Sequence, residues 1–250
     1  MITTKSMLMV LSLALTPVIV AAGNTVSNVR ENVVNISDGS SGINSDIQVN
    51  GSMLIGNGKI VSRKLKMAPF TALKVSGAFD VKVNIGDLAD NEVEVSADSN
   101  LQNMIKVESR DGRLNIYNDG AFRSSRTVVI RLRASKLQTV ESSGAGTLNL
   151  HDINSESLTL RCSGAVHVIL HSGAVKRLDA VMSGAAELDT RAVNIAGITI
   201  ELSGSSEASV RSDGHIDVQA SGASELKYTG KAKIKQQLSG AASVSASGSK

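Results

Sequence analysis

Six copies of a short motif, Ser-Gly-Ala or Ser-Gly-Ser, follow one another at regular intervals in the second half of the chain and are the feature that most constrains the fold. The copies begin at Ser143, Ser163, Ser183, Ser203, Ser221 and Ser239. The first three steps between copies are 20 residues long and the last two are 18 residues long, so every step is even. Side chains of an extended strand alternate between two faces, so only an even step returns a residue to its own face. The even spacing therefore predicts extended segments that stack in a common phase.

The apolar residues share one phase relative to this motif. They stand an odd number of residues after each serine, or directly before it, and form four files, in which Thr190 is the one polar member: Leu148, Val168, Leu188, Ala208, Leu226 and Val244; Leu150, Leu170, Thr190, Val210, Tyr228 and Ala246; Leu158, Leu178, Ile198, Ile216 and Ile234; and Cys162, Met182, Leu202, Ala220 and Leu238. This parity predicts that the files line an interior. The glycine of each motif has the same parity, so we expect Gly184 and its equivalents to point inward at a sharp corner with no room for a larger side chain.

A segment of about 20 residues cannot bury an apolar face alone, but stacking at the strand spacing of about 4.8 Å lets the interior files form one core. We interpret each repeat as one coil of a parallel β-solenoid, with short loops between its strands, the first of them expected over residues 152–156. The aromatic content of 2% fits narrow coils and argues against most sugar-binding or single-strand nucleic-acid surfaces, which usually stack their ligands on aromatic rings. The alternative is an antiparallel sandwich of short strands, which does not need a uniform phase across six repeats.

The first half of the chain follows the same phase less regularly. The segment from Leu73 to Ile85 contains another Ser-Gly-Ala, at Ser76, and predicts an early and longer coil. Arg110-Asp111-Gly112 separates two alternating segments, which is a strong hairpin signal. We predict one domain over residues 59–250, irregular at first and regular after Ser143.

Residues 1–22 are typical of a cleaved signal peptide, with Lys5 as the only charge, an apolar run and small residues at its end. The apolar run has about 14 residues, fewer than the roughly 20 that a membrane-spanning helix needs. We therefore expect an exported chain without a transmembrane segment after cleavage, located in the periplasm, at the outer membrane or outside the cell. Residues 23–58 are rich in Asn, Ser and Gly and predict a flexible linker or arm.

The order of these segments resembles a known family. The residues that carry the resemblance are Arg63, Phe70, the run Val75-Ser76-Gly77-Ala78-Phe79-Asp80-Val81-Lys82-Val83, Ala97-Asp98-Ser99-Asn100-Leu101, Asp111-Gly112-Arg113-Leu114-Asn115-Ile116 and the Ser-Gly-Ala coils. Together they are similar to the putative auto-transporter adhesin, head GIN domain family of exported bacterial proteins. The resemblance implies an all-β fold, a right-handed, single-stranded parallel β-helix whose regular coils repeat every eighteen to twenty positions. It implies no established enzyme activity.

Two groups of polar residues are candidate metal ligands. His151 and His171 have equivalent positions on adjacent coils, with His167 nearby, and imidazole groups bind transition metals. Glu187, Glu207 and Glu225 form an outward carboxylate file that could bind calcium, although Arg191, Arg211 and Lys227 can neutralise it. We favour solvent-exposed structural roles for both groups and assign no catalytic, cofactor-binding or metal-binding residue. The outward serines are interpreted as corner-stabilising residues, because no recurring His or acid accompanies them.

These features favour a non-catalytic exported module that binds, adheres or supports the envelope through the faces of a solenoid. Its ligand would be a polysaccharide or a protein of the envelope or extracellular space. A net charge of +3 without a basic stripe does not indicate a nucleic-acid partner. Two alternatives remain: a hydrolase or lyase of envelope polysaccharide, and a solenoid that self-associates through its ends, where strand edges are unpaired.

Overall fold

The computed structural model describes residues 53–86 and 91–247, together with the backbone of five short strands between residues 10 and 48. Contacts divide the chain into two units, Met1–Leu54 and Ile55–Lys250. The first unit contains strands β1 (Val10–Leu13), β2 (Thr16–Ile19), β3 (Asn24–Arg30), β4 (Val33–Asp38) and β5 (Ser45–Gln48). β1 pairs with β2, and β4 lies between β3 and β5, all antiparallel. Much of the proposed signal peptide and linker lies outside the described residues, and the three-part division of the chain stays a prediction.

The rest of the described chain is all-β apart from one short 3-10 helix, Gln102–Met104. Its strands are β6 (Leu54–Ile55), β7 (Ile60–Met67), β8 (Ala72–Ile85), β9 (Asn91–Asp98), β10 (Ile105–Arg110), β11 (Arg113–Asn118), β12 (Phe122–Arg123), β13 (Val128–Ala134), β14 (Thr139–His151), β15 (Ile153–Leu170), β16 (Gly173–Gly184), β17 (Glu187–Asp189), β18 (Gly197–Leu202), β19 (Glu207–Arg211), β20 (His215–Ala220), β21 (Glu225–Thr229), β22 (Lys233–Leu238) and β23 (Ser243–Ala246). Sixteen of these strands belong to one large mixed sheet.

The strands of the repeats pair in parallel, with each residue beside its equivalent in the next repeat. Ser143 lies opposite Ser163, and Ser163 opposite Ser183. The same register continues through β18, β20 and β22, and in a second row through β17, β19, β21 and β23. The antiparallel sandwich is therefore wrong for this region. The loop predicted over residues 152–156 is also wrong: the chain bends only at Asp152, where φ is 58°, and then continues as β15.

The irregular first half is organised around β8, which pairs in parallel with β11, β13 and β14. β7, β9 and β13 pair antiparallel beside it. The predicted hairpin is confirmed: β10 and β11 pair antiparallel around Asp111 and Gly112, whose φ angles are 51° and 72°. Two consecutive positive φ angles are what a two-residue type I′ turn requires.

The interior files form one continuous hydrophobic core, as the phase of the repeat predicts. Leu148, Val168 and Leu188 are each at most 1% exposed. Burying a side chain of this size stabilises the fold by about 1.5–3 kcal/mol. The files open towards the end of the described chain, where Tyr228, Ile234 and Val244 are partly buried and Leu238 is 40% exposed. β22 and β23 each have a single paired neighbour among the described strands, so their apolar residues are less completely covered.

The corner glycines differ from the prediction. From Gly144 to Gly240 the six motif glycines have φ between 72° and 107°, and all are exposed rather than directed inward. They stack closely: a Cβ atom on Gly184 would lie 2.8 Å from the carbonyl oxygen of Gly164. Glycine is therefore needed for a left-handed backbone and for close approach of adjacent repeats, not for interior space. Inside the corner, the buried Ser206 and Ser224 hydroxyls donate to the carbonyls of Ser203 and Ser221, at 2.9 Å in both cases.

Candidate binding groove

Two outward rows of side chains cross the large sheet just before the corner. The serine row consists of Ser76, Ser143, Ser163, Ser183, Ser203, Ser221 and Ser239. The flanking row, two residues earlier in each strand, consists of Lys74, Glu141, Arg161, Val181, Glu201, Gln219 and Gln237. Both rows follow from the parallel register, which places like positions side by side. At one end the rows continue onto the hairpin, because Tyr117 lies opposite Ser76 and Asn115 opposite Lys74.

Three open depressions follow these rows, and we call them together the serine groove. The first has a volume of about 560 Å³ and is lined by residues that include Lys74, Glu108, Asn115, Tyr117 and Ser143. The second, of about 330 Å³, shares Lys74 and Ser143 with the first and reaches Ser183. The third, of about 490 Å³, shares Val181 with the second and reaches Ser239. Shared lining residues make the groove continuous along the repeats.

The serine hydroxyls connect neighbouring repeats. Ser143 Oγ donates to Ser76 Oγ at 3.1 Å, and Ser183 Oγ donates to the carbonyl of Cys162 at 3.4 Å. Ser203 Oγ makes the equivalent bond to the carbonyl of Met182 at 3.5 Å. These contacts support a corner-stabilising role, although their length makes each of them weak. The groove floor is therefore a regular surface of small polar groups.

The hairpin end of the groove carries its most diverse side chains. The Tyr117 hydroxyl donates to Glu108 Oε1 at 2.9 Å, and this hydrogen bond raises the pKa of Tyr117. Arg113 Nη1 pairs with Glu141 Oε1 at 2.9 Å. The side chains of Lys74 and Asn115 make no hydrogen bond to another residue of the described chain. This end therefore presents an oriented ring beside polar groups that have unused hydrogen-bonding capacity.

The candidate histidines are only partly brought together. His151 and His171 stack with ring centroids 4.3 Å apart and an interplanar angle of 6°. His171 Nε2 is 2.9 Å from Asn149 Oδ1, and desolvation followed by the neighbouring His151 lowers the pKa of His171. His167 lies instead beside Glu187, with its Nε2 3.6 Å from Glu187 Oε1. Within residues 53–86 and 91–247, no three His, Cys, Asp or Glu side chains are grouped to hold a metal ion.

The candidate glutamates form the expected file, since Glu187, Glu207 and Glu225 are direct neighbours in the parallel register. Lys227 Nζ bridges two of them, at 2.8 Å from Glu207 and 3.1 Å from Glu225, and these hydrogen bonds raise the pKa of Lys227. Arg191 is also close enough to Glu187 and Glu207 to interact with them electrostatically, as the sequence predicts. Its guanidinium bonds Asp189 at 2.6 Å, which lowers the pKa of that carboxyl.

Sequence reasoning missed one buried carboxylate. Asp98 is 0% exposed and accepts hydrogen bonds from the Ser125 hydroxyl at 2.6 Å, the Gly58 amide at 2.7 Å, the Ser124 hydroxyl at 2.8 Å and the Ser125 amide at 3.0 Å. These bonds, led by the Ser125 hydroxyl, hold the pKa of Asp98 well below its usual range although burial opposes them. Its partners are 26 to 40 residues away in the chain, so no local motif indicates the cluster.

Comparisons with known proteins identify a family and a fold. The family model described as putative auto-transporter adhesin, head GIN domain matches residues 69–232. Among solved structures, a putative adhesin from Bacteroides fragilis NCTC 9343 has 16% identity and a TM-score of 0.64, covering 77% of this chain and 98% of its own. A putative lipid binding protein from Parabacteroides distasonis ATCC 8503 has 17% identity and a TM-score of 0.55, covering 79% and 100%.

A putative adhesin from the same Parabacteroides strain has 20% identity and a TM-score of 0.52, covering 78% of this chain and 100% of its own. No curated protein matches the chain. Within the described residues, no helix has the length and apolar character to span a membrane. At these identities the solved structures support the fold, whereas the family model supports membership of the family.

Proposed function

This chain belongs to the putative auto-transporter adhesin, head GIN domain family, and from that premise we propose that it is a non-catalytic, exported binding module with an adhesin-like or envelope-structural role. It acts through the side faces of a β-solenoid. Its destination is the periplasm, the outer membrane or the cell exterior. The signal-peptide pattern of residues 1–22 and the adhesin description of the family support export.

We further propose that the repeats are coils of a right-handed, single-stranded parallel β-helix. The parallel registers, in which each residue pairs with its equivalent one repeat later, support stacked coils. Connections between parallel strands of one sheet are right-handed in almost all known proteins, which supports the hand. Such a scaffold holds every outward side chain at a fixed position relative to the next coil.

The serine groove is the observation that carries the proposed function. It combines a long open surface, small hydroxyl groups and charged or amide side chains in register across successive strands. A periodic surface of this kind matches a ligand that is itself extended and periodic. The single coils differ in their flanking residue, from Glu141 and Arg161 to Gln219 and Gln237, so the groove also varies chemically along its length.

Binding is tested with the full purified chain against immobilised envelope polysaccharides, envelope proteins and lipid vesicles. Saturable binding to one class, with the ligand recovered unchanged, supports the proposal. Release of shortened glycan or unsaturated ends, abolished by one outward substitution in the groove, would replace it with the hydrolase or lyase alternative. No binding to any member of the panel contradicts the proposed function.

Self-association is a second candidate, favoured by the last repeat. The outer edges of β22 and β23 are unpaired among the described strands, and Leu238 is 40% exposed beside them. Unpaired strand edges with apolar residues invite another chain. Light scattering over a concentration series tests it: a mass that rises with concentration supports association, and a constant monomer mass removes it.

A further inference from the structure

The first depression of the serine groove, which we call the Tyr117 cavity, has a lining unlike the rest of the groove. The chain has no Trp, 2 Tyr and 3 Phe. Phe70 and Phe79 are buried, and Phe122 and Tyr228 are packed against the core. Tyr117 is the remaining aromatic residue, and it is partly exposed and lines a cavity of about 560 Å³. A chain with so few rings thus places one of them on the surface at one end of the serine groove.

The groups around this ring suit hydroxyl-rich ligands. Lys74 and Asn115 have no side-chain hydrogen bond to the described chain, and Asn118 uses its amide nitrogen on the Gly120 carbonyl, which leaves its oxygen to accept. Glu108 orients the Tyr117 hydroxyl at 2.9 Å. Donors and acceptors beside an aromatic face recognise a sugar, whose edge is polar and whose faces carry C–H groups.

The charges and the backbone narrow the ligand class further. Lys74 and Glu108 balance one another in the cavity, and Arg113 already neutralises the adjacent Glu141, so a strongly charged polymer gains little here. A peptide could add to a sheet only at an unpaired edge. β8 and β11, which carry most of the cavity lining, lie between paired neighbours, and only Glu108 comes from the edge strand β10.

We propose that the Tyr117 cavity binds one sugar unit of an extended, uncharged or charge-balanced glycan, with the Tyr117 ring as its platform and Lys74, Asn115 and Glu108 as hydrogen-bonding groups. This inference rests on the proposed binding function and names its ligand class. The following sugars lie along the serine row. Its spacing of about 4.8 Å per strand is comparable with the length of one hexose in an extended chain.

The test uses cellohexaose, chitohexaose and maltohexaose as probes in isothermal titration calorimetry with the full chain. We expect Tyr117→Ala to weaken the best-binding hexaose by at least about tenfold, because loss of an aromatic contact is on the order of one decade in affinity. Tyr117→Phe keeps the ring and should remain within about twofold of wild type, since the hydroxyl is used internally. Asn115→Ala should weaken binding by about threefold to tenfold, as expected for one lost hydrogen bond.

Asn154→Ala is the matched control, because Asn154 is an exposed amide outside the groove that bonds only the Asp152 carbonyl. It should leave affinity unchanged. A second readout uses the absence of Trp: in a Tyr228→Phe background only Tyr117 emits, and saturating hexaose should change its fluorescence. Circular dichroism and melting curves verify that each variant is folded.

Equal affinities of wild type and Tyr117→Ala overturn the site, and failure of all three hexaoses to bind overturns the ligand class. In either case, retained binding of the full chain to envelope material leaves the proposed function standing. Loss of both hexaose and envelope binding in the wild-type protein contradicts both proposals together. Displacement of a bound hexaose by an unstructured polypeptide, but not by a second glycan, favours a protein ligand and also overturns the glycan assignment.

Discussion

Gly184 shows how one residue type can be required for a reason that a sequence pattern does not distinguish. Its φ is 82°, and an added Cβ would lie 2.8 Å from the Gly164 carbonyl oxygen. We expect Gly184→Leu to lower the free energy of unfolding by at least about 2 kcal/mol, from left-handed strain of about 1–2 kcal/mol plus displacement of the adjacent repeat. Ser183→Ala loses only a long hydrogen bond and should cost less than about 1 kcal/mol.

The control for this comparison is Ala185→Leu, which adds similar bulk at the next exposed position, where φ is not positive. Urea denaturation monitored by circular dichroism measures all three variants. Similar midpoints for Gly184→Leu and Ala185→Leu would show that bulk, and not the backbone conformation, determines the corner.

Asp98 predicts a specific acid sensitivity. Its pKa is depressed in the folded state, so the stabilisation it provides is fully present above the pKa of the unfolded chain, near the ordinary value of 3.8, and decreases as the pH falls below it. Asp98→Asn should therefore lower the melting temperature at pH 7 and reduce its fall between roughly pH 5 and pH 2. Thermal melts across this range provide the measurement.

Glu156→Gln is a suitable comparison for Asp98, because Glu156 is 79% exposed in a surface pair with Lys176. Its melting curve should follow that of the wild type at every pH. An Asp98→Asn protein with wild-type stability at pH 7 and an unchanged acid profile would contradict the role of the buried carboxylate.

At the residue scale, the parity of the repeat was enough to predict the buried files through Leu226. It could not predict the corner, because an even step is equally compatible with an inward glycine and with an exposed glycine at positive φ. It also could not predict Asp98, whose stabilising partners Gly58, Ser124 and Ser125 come from distant segments and belong to no repeat.

Among the elements, β19 and β21 carry a small electrostatic network that can be isolated. Lys227 on β21 bridges Glu225 on its own strand and Glu207 on β19. Lys227→Met leaves neighbouring carboxylates without their shared cation and should lower the melting temperature by roughly 1–3 °C at low salt. The difference should largely disappear in roughly 0.5 M sodium chloride, because exposed charges are then screened.

Lys176→Met is the matched control, since Lys176 pairs with the single carboxylate of Glu156. Its effect should be smaller than that of Lys227→Met at low salt. A deficit of Lys227→Met that persists unchanged at high salt would indicate lost packing of the lysine stem instead.

The element scale also shows where local signals suffice. Asp111-Gly112 predicted the β10–β11 hairpin, because a type I′ turn is a local preference of those two residues. β14 and β15 stay extended on either side of Asp152, because they pair with β8 and β16 respectively. The loop expected over residues 152–156 is therefore only a bend at Asp152. The opening of the core at Leu238 reflects its place in the last strand row, which repeat phase alone does not encode.

Across the second unit, the candidate groove emerges only when the registers of many strands are known. The sequence places the serines on the outside, but Tyr117 joins their row through the parallel pairing of β11 with β8, two strands that have β9 and β10 between them in the chain. The repeats therefore predict the serine row and the regular floor of the groove. The aromatic end depends on a long-range pairing in the irregular half.

Interior files built on an even repeat predict that whole repeats are interchangeable units. Deleting residues 164–183 removes one complete step of twenty and joins Ser163 to Gly184, so each later residue keeps its face and meets an equivalent neighbour. The shortened chain should remain soluble, show β-type circular dichroism and unfold cooperatively, with some loss of stability from one fewer interface.

Deleting residues 165–183 removes an odd number, nineteen, and reverses the face of every later side chain. That protein should aggregate or lose its cooperative transition, because its apolar files would point into solvent. Size-exclusion chromatography and thermal melts compare the two deletions, and equal behaviour would contradict the continuous core on which the groove is built.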